Sequence, residues 1–265
     1  MLDLRLDGKT ALVTGSTAGI GLAIASGLAA QGARVIINGR TQRRVDDAIA
    51  QIISKQSDAK LAGIAADLGS SDGADHIVAR YPLVDVLVNS VGIFEAKAFE
   101  TIPDSDWLRF FEVNVMSGVR LTRAYVPGMR AANWGRVVFI SSESGLHIPA
   151  EMVHYGVTKT AQIALARGIA ETLAGTGVTV NSVLPGPTRS EGVGAFVEQL
   201  AHERGVSEAT FEREFFATLR PTSLIKRFAT PDEVANMVVY ICSPAASATT
   251  GAALRVDGGV VRAIP

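Results

Sequence analysis

Cysteine is almost absent from this chain. Cys242 is the only one in 265 residues, so neither a disulfide framework nor a cysteine metal site can form within one copy. Histidine is scarce too: His76, His147, His154 and His202 show no zinc-ligand spacing, and no metal is expected. No apolar run reaches the roughly 18 residues that a membrane-crossing helix needs, so no membrane partner is expected. The formal net charge is −1. Without a basic stripe, a nucleic-acid footprint is not expected either. The opening residues, Met1 to Asp7, alternate apolar and charged side chains and lack a signal peptide's continuous apolar centre. A cytoplasmic protein is the expectation.

What is present points to a cored α/β protein. Hydrophobic residues make up 48%, enough to fill a sizeable interior, and the length suits one large domain spanning 1–265. Short apolar runs that read as strands occur at Thr10–Thr14, Arg34–Asn38, Leu61–Ala65, Val84–Val88, Gly135–Ser141, Val178–Leu184 and Ala252–Val256. Between them lie stretches of helical composition: Leu22–Gln31, Thr41 (as cap) to Lys55, Ser71 to Tyr81, Asp104 or Ser105 (as cap) to Met129, and Tyr155 to Gly175. A last helix opens at Thr230, with Pro231 at its first position and acids in its first turn,. This alternation predicts a single-domain, Rossmann-like, doubly wound parallel sheet of about seven strands with helices on both faces. One segment, 190–227, is charged, aromatic and helical in composition; it reads as an insertion over the sheet's edge.

Two stretches carry chemistry. The first is the turn Gly15, Ser16, Thr17, Ala18, Gly19, Ile20, Gly21, directly after a strand and directly before a helix. Gly15 permits the tight turn, Gly19 and Gly21 allow close backbone approach to a pyrophosphate, and the helix start offers amide donors. The second runs from Ser142 to Lys159. Tyr155 and Lys159 are four residues apart, on one helix face. A phenol beside an ammonium is expected to have a depressed pKa, and a serine hydroxyl can hold a substrate oxygen. Taken singly, Tyr155 and Lys159 also read as an amphipathic pair and Ser142 as a turn cap, with Ser141 adjacent. Asn89 and Gly92 also suit an ordinary strand-ending turn, and Asp67 a helix cap. At the end of the second strand an NAD-specific site would place an acid. Gly39 stands there instead, followed by Arg40, with Arg43 and Arg44 close by. A 2′-phosphate would meet no carboxylate and a guanidinium able to bind it.

The order and spacing of these motifs resemble the short-chain dehydrogenase/reductase family. Thr14 with the glycine turn is similar to that family's cofactor motif, and Tyr155 to Lys159 matches its Tyr-x-x-x-Lys motif. Ser142, thirteen residues before Tyr155, stands where the family has its serine. Asn89, Ser90, Val91 and Gly92 resemble its Asn-Asn-Ala-Gly with two departures, and Asn114 matches its helix asparagine. Pro185 and Gly186, and the ending Val256 to Gly259, also fit.

The resemblance implies an oxidoreductase that moves a hydride between a nicotinamide and a ketone or secondary alcohol. Tyr155 would be the general acid and base. Lys159 would lower its pKa and meet the cofactor ribose, and Ser142 would orient the substrate oxygen. Asn114 would hold a water linking Lys159 to solvent. The implied cofactor contacts are Gly15, Ser16, Thr17, Gly19, Ile20, Gly21, Arg40, Asp67, Leu68, Asn89, Gly92, Tyr155, Lys159, Pro185, Gly186, Thr188 and Ser190. The cofactor expected is NADP(H), with NAD(H) as the alternative, and the partners are a small carbonyl or alcohol substrate and further copies of the chain, as a tetramer or dimer. Substrate-facing candidates are Phe94, Glu95, Glu143 to His147, Met152 and Phe196 to Phe216. Other readings are a 3-oxoacyl thioester reductase, a dehydratase or epimerase, and a non-catalytic nucleotide-binding protein on the same fold.

Overall fold

Short runs rich in Val, Ile and Leu pair side by side into one parallel sheet, because such segments, apolar on both faces, can be covered only by a layer of helices above and below. The computed structural model describes residues 3–264, the side chains at 195, 196, 199–201 and 203 excepted. Among the described residues the strands are β1 (Thr10–Val13), β2 (Arg34–Gly39), β3 (Leu61–Ala65), β4 (Val86–Asn89), β5 (Gly135–Ile140), β6 (Val178–Pro185) and β7 (Ala253–Val256). Their order is β3-β2-β1-β4-β5-β6-β7, and every neighbouring pair is parallel. The central strands β4, β5 and β6 are buried at every position.

The helices are α1 (Gly19–Ala30), α2 (Gln42–Lys55), α3 (Ser71–Arg80), α4 (Asp104–Phe111), α5 (Ser117–Ala131), α6 (Val153–Thr172), α7 (Glu191–Glu203), α8 (Glu208–Thr218) and α9 (Pro231–Cys242). Strand alternation sorts the core into two layers. Ala11, Val13, Val35, Ile37, Val86 and Val88 point one way, against Ile24 and Leu28 of α1, Val45 of α2 and Val238 of α9. Leu12, Ile36, Leu87, Val137 and Phe139 point the other way, against Ile77 of α3, Leu121 and Met129 of α5, and Ala166 of α6. Each Val, Leu, Ile, Phe or Met side chain buried fully in this way contributes roughly 1.5–3 kcal/mol.

The expected insertion forms α7 and α8. It has its own small apolar cluster of Val197, Phe211, Phe216 and Phe228, so these aromatics pack with one another rather than line a substrate channel. The side chain of Phe196 lies outside the described residues.

Several boundaries differ from the sequence expectation. Helix α1 begins at Gly19 instead of Leu22, which brings the last two glycines of the turn into its first turn. Helix α3 does open at Ser71, as expected, with Ser70 as its cap accepting from the Gly73 amide. Pro103 occupies the position before α4, and Asp104 supplies first-turn charge in place of a cap. The long helix expected up to Met129 is interrupted: Glu112–Met116 forms a π-turn between α4 and α5. Such a wide turn is rare and concentrates at functional sites. Asn114 sits inside it.

Candidate active site

The chain's order reverses between β1 and β4, and their carboxyl ends open a crevice there. Thr14 holds its two sides together: its hydroxyl accepts from the amides of Ser90 (2.9 Å) and Val91 (3.2 Å), just past β4. Gly15 has φ +60° and Gly19 φ +54°, the left-handed region that glycine enters without strain. A Cβ on Gly21 would strike the Gly15 carbonyl oxygen, so this glycine lets the helix close onto the turn. Asn38 braces the turn from β2. Its side chain accepts from the Gly15 amide (3.3 Å) and donates to the carbonyls of Ile64 and Ala66.

The start of α1 is open to an anion. Ala18 stands before it in extended conformation without a side-chain cap, and the first turn carries no acid. Its orphan amides and the positive end of the helix dipole are left for a ligand. Asn89 adds a second opening: its Nδ2 donates to Thr122 (3.3 Å), while its buried Oδ1 has no partner, a state that calls for a missing donor. Beyond β2, Gly39 packs against the Thr17 methyl. The exposed Arg40 follows and makes no ion pair among the described residues. These features fit a phosphorylated dinucleotide.

Other expected contacts are engaged elsewhere. The Ser16 hydroxyl donates to Val13 (2.7 Å) and accepts from the Asn38 amide (3.0 Å), and its own amide donates to Asn38. Its role is to brace the turn from inside. Leu68 is a core side chain, leaving only its backbone for a ligand. Asp67 accepts from the Gly69 amide (3.0 Å), the turn-capping use. Ile20 packs against the core layer of α1. Pro185 ends β6, and a Cβ on Gly186 would collide with the backbone of Asp257. Thr188 is buried, its hydroxyl donating to Gly186 (2.9 Å). Ser190 comes down on the glycine turn, its Cβ 3.0 Å from where a Cβ on Gly19 would stand.

The proton-handling residues gather at the ends of β5 and β4. Ser141 and Ser142, adjacent in sequence, separate clearly: the Ser141 hydroxyl donates to the Lys159 carbonyl (2.7 Å), a structural tie. Ser142 opens the short turn Glu143–Gly145, accepting from the Ser144 amide (3.1 Å), and acts directly on Tyr155. Tyr155 meets Phe94 edge-on, ring centroids 6.4 Å apart. Lys159 Nζ lies 5.5 Å from the Tyr155 ring centroid, donating to the Ile140 carbonyl (2.9 Å) and to Gln162 (3.1 Å).

The expected depression of the Tyr155 pKa is not what this arrangement produces. Burial pushes the phenol up to about 12, with Ser142 acting in the opposite sense, and pulls Lys159 down to about 7. Removing water penalises both charged forms, and the cation that should hold a phenolate is itself partly discharged at neutral pH. A stability signature follows. Unfolded, Lys159 titrates near 10.5, so between about 7 and 10 the unfolded state binds the extra proton and stability rises with pH. Thermal melts of ligand-free protein and of Lys159→Met are expected to converge as pH rises through that window, wild type gaining on the variant. A constant difference would contradict the shifted lysine.

Asn114 is fully buried. Its side chain accepts from the Ile93 amide (2.7 Å) and donates to the Ile93 carbonyl and Thr158 (both 3.0 Å). The side chain clamps the loop after β4, and the backbone carbonyl of Asn114 accepts from Gln162. Gly92, next to Ile93, touches both residues: a Cβ there would lie 3.4 Å from Lys159 Nζ and 3.5 Å from Asn114 Oδ1.

Of the substrate-facing candidates, Glu143 is the most constrained. It is buried, its Oε1 accepting from Arg220 Nε and from Ser144 (both 3.2 Å), while Oε2 has no partner. Burial raises its pKa, and Arg220 partly offsets this. Arg220, just past α8, also reaches Glu151 (3.4 Å), fastening the insertion to the catalytic turn. Removing one partner of such a pair strands a buried charge. Phe94, Glu95 and His147 are exposed, and Met152 half-buried. His154 lies between Phe110 and Trp107, centroids 4.0 and 6.0 Å away, with neither ring nitrogen bonded among the described residues. Arg220 and Gln162 carry no motif signal, since each acts through a tertiary contact.

A sequence profile of the family described as enoyl-(acyl carrier protein) reductase matches residues 15–261. The chain is 48% identical over 263 residues to the uncharacterized oxidoreductase YvaG of Bacillus subtilis (strain 168), covering 99% of this chain and all of that one. It is 35% identical over 261 residues to D-beta-hydroxybutyrate dehydrogenase of Cupriavidus necator, covering 97% and 99%. L-sorbose reductase of Gluconobacter frateurii, solved with NADPH and L-sorbose, superposes with a TM-score of 0.92 at 30% identity, covering 99% of this chain and all of that one.

Proposed function

The chain belongs to the short-chain dehydrogenase/reductase family, and from that premise we propose that it is an NADP(H)-preferring reductase or dehydrogenase acting on a small ketone or secondary alcohol. That it is an oxidoreductase using a nicotinamide cofactor follows from the family and its relatives. The observation that carries the rest is the convergence of Ser142, Tyr155 and Lys159 beside an uncapped helix start.

The residues that would hold the cofactor are Gly15, Thr17, Gly19 and Gly21 at the turn, Arg40 at the end of β2, Asn89 and Gly92 after β4, and Thr188 and Ser190 after β6. When bound, NADP(H) supplies or accepts the hydride. Tyr155 gives its proton to the carbonyl oxygen in reduction and takes it back in oxidation. Ser142 holds that oxygen and favours the negative charge that develops on it. Lys159, its Nζ beside the phenol ring, favours the phenolate whenever it carries its proton, and a neutral phenol at rest suits the proton-donating direction. The preference for NADP(H) rests on Arg40 and on the missing acid at Gly39. Phe94 and the Glu143–Arg220 pair give the mouth an apolar wall and a charged one.

We take residues 1–265 as one domain carrying the 190–227 insertion, and a homo-oligomer is supported by Leu108, Phe111 and Val157, exposed apolar side chains on α4 and α6. A cytoplasmic location rests on the sequence reading alone. A non-catalytic role has no observation in its favour. Consumption of NADPH with a panel of ketones tests the proposal: turnover of at least one is expected, and binding of NADPH without turnover of any would refute it.

A further inference from the structure

Glu143 follows Ser142 directly and opens the short turn Glu143–Gly145. Its side chain is 4% exposed. Oε1 is taken: Arg220 Nε and the Ser144 hydroxyl both donate to it, each at 3.2 Å. Oε2 is buried and has no partner among the described residues. A buried acceptor of this kind is costly unless a donor reaches it. The pair also stands at the reacting centre. Ser142, Glu143 and Arg220 all act on the Tyr155 phenol, so the carboxylate and the serine flank the same hydroxyl.

The charge of this wall limits what can meet Oε2. Arg220 is shared, since its Nη1 also donates to Glu151 at 3.4 Å. With two carboxylates on one guanidinium, an incoming carboxylate or phosphate meets repulsion in place of a free cation. An incoming ammonium would stand beside the guanidinium. A neutral hydroxyl suffers neither penalty and supplies the donor that Oε2 lacks. An alkyl group fills the same place and leaves the oxygen unmet.

We propose that Glu143 is a specificity-determining residue whose Oε2 accepts a hydrogen bond from a substrate hydroxyl, and that the substrates are uncharged hydroxyketones and the matching diols. The inference deepens the proposed function and rests on it. Arg220 holds the carboxylate in place and brings its counter-charge from the insertion.

The test compares isosteric ketones. Hydroxyacetone is set against butanone, and 4-hydroxybutan-2-one against pentan-2-one. Each pair exchanges a hydroxyl for a methyl, at two different distances from the carbonyl. The value of kcat/KM is measured for wild type and for the double variant Glu143→Met with Arg220→Met, which removes both partners and strands no charge. The ratio within a pair is read, so a general loss of activity cancels, as does the pull of the hydroxyl on the carbonyl. For at least one pair the wild-type ratio is expected to exceed that of the double variant by about tenfold or more, the discrimination a charged acceptor gives. Glu143→Gln keeps the shape with a neutral acceptor. It is expected to fall between the two, and it takes over the comparison if the double variant does not fold. Equal ratios in wild type and variants would mean that Oε2 is met by structural water or closed to substrate, and would overturn the inference. So would acetoacetate as the preferred ketone, which would make Arg220 a reader of carboxylates. Methoxyacetone matching hydroxyacetone would overturn it too, because an ether cannot donate. Turnover of no ketone at all refutes the proposed function and this inference with it, whereas turnover with an unmoved ratio refutes the inference alone.

Discussion

Tyr155→Phe is expected to lower kcat by about 10²–10⁴-fold, the range supplied by one placed acid or base, while leaving NADPH affinity close to wild type. The substitution removes one oxygen and keeps the ring that meets Phe94 edge-on. It should also fold: Tyr155 is half-buried and its hydroxyl is neutral, its ionisation already pushed to about 12, so no charge pair is broken. The comparison to make is kcat against the dissociation constant for NADPH, in the same preparation. A matching loss in both would mean that the phenol shapes the cofactor site instead of moving a proton. Retained kcat would move the chemistry elsewhere.

Arg40→Asp should reverse the charge that a 2′-phosphate meets. Charge-assisted bonds from an arginine to a phosphate are about twice as strong as neutral ones, and a carboxylate there adds repulsion and offers an acceptor for a 2′-hydroxyl. The ratio of kcat/KM for NADPH over NADH is expected to fall roughly a hundredfold, mostly through KM for NADPH. Because Arg40 is exposed, the effect should shrink as salt rises. Arg43→Ala, in the first turn of α2 and farther from β2 along the chain, should change the ratio much less. An unchanged ratio in Arg40→Asp would remove the basis for an NADP(H) preference.

The fold was legible wherever strand and helix signals were local. The runs around Val13, Ile36 and Val88 alternate with helical stretches at a spacing that permits little besides a parallel sheet, and β1 to β7 appear in place. The glycine turn was equally legible, because its demand on the backbone is written in the residue type: Gly15 and Gly19 do adopt positive φ. Features that depend on three dimensions were not. The π-turn at Asn114 leaves no trace in an otherwise regular helical pattern. What sets Ser141 apart from Ser142 is also three-dimensional: the Ser141 hydroxyl turns toward the Lys159 carbonyl. Ser16 looked like a ligand contact because it sits in the turn, yet its hydrogen bonds run inward to Val13 and Asn38. The pKa order of Tyr155 and Lys159 also reversed the expectation, since spacing along a helix reports proximity but not how much water is removed. Arg220 and Gln162 reach the site from distant or silent positions, and only packing reveals them.

The central claim is that this chain passes a hydride between a nicotinamide and a carbonyl carbon with Tyr155 moving the proton. Reduction of a ketone panel with NADPH deuterated at the transferring C4 position tests it most directly. The account predicts an alcohol product carrying deuterium at the carbinol carbon, formed by wild type and lost with Tyr155→Phe. Tight NADPH binding with no deuterium in any product, or equal labelling by the phenylalanine variant, would contradict it.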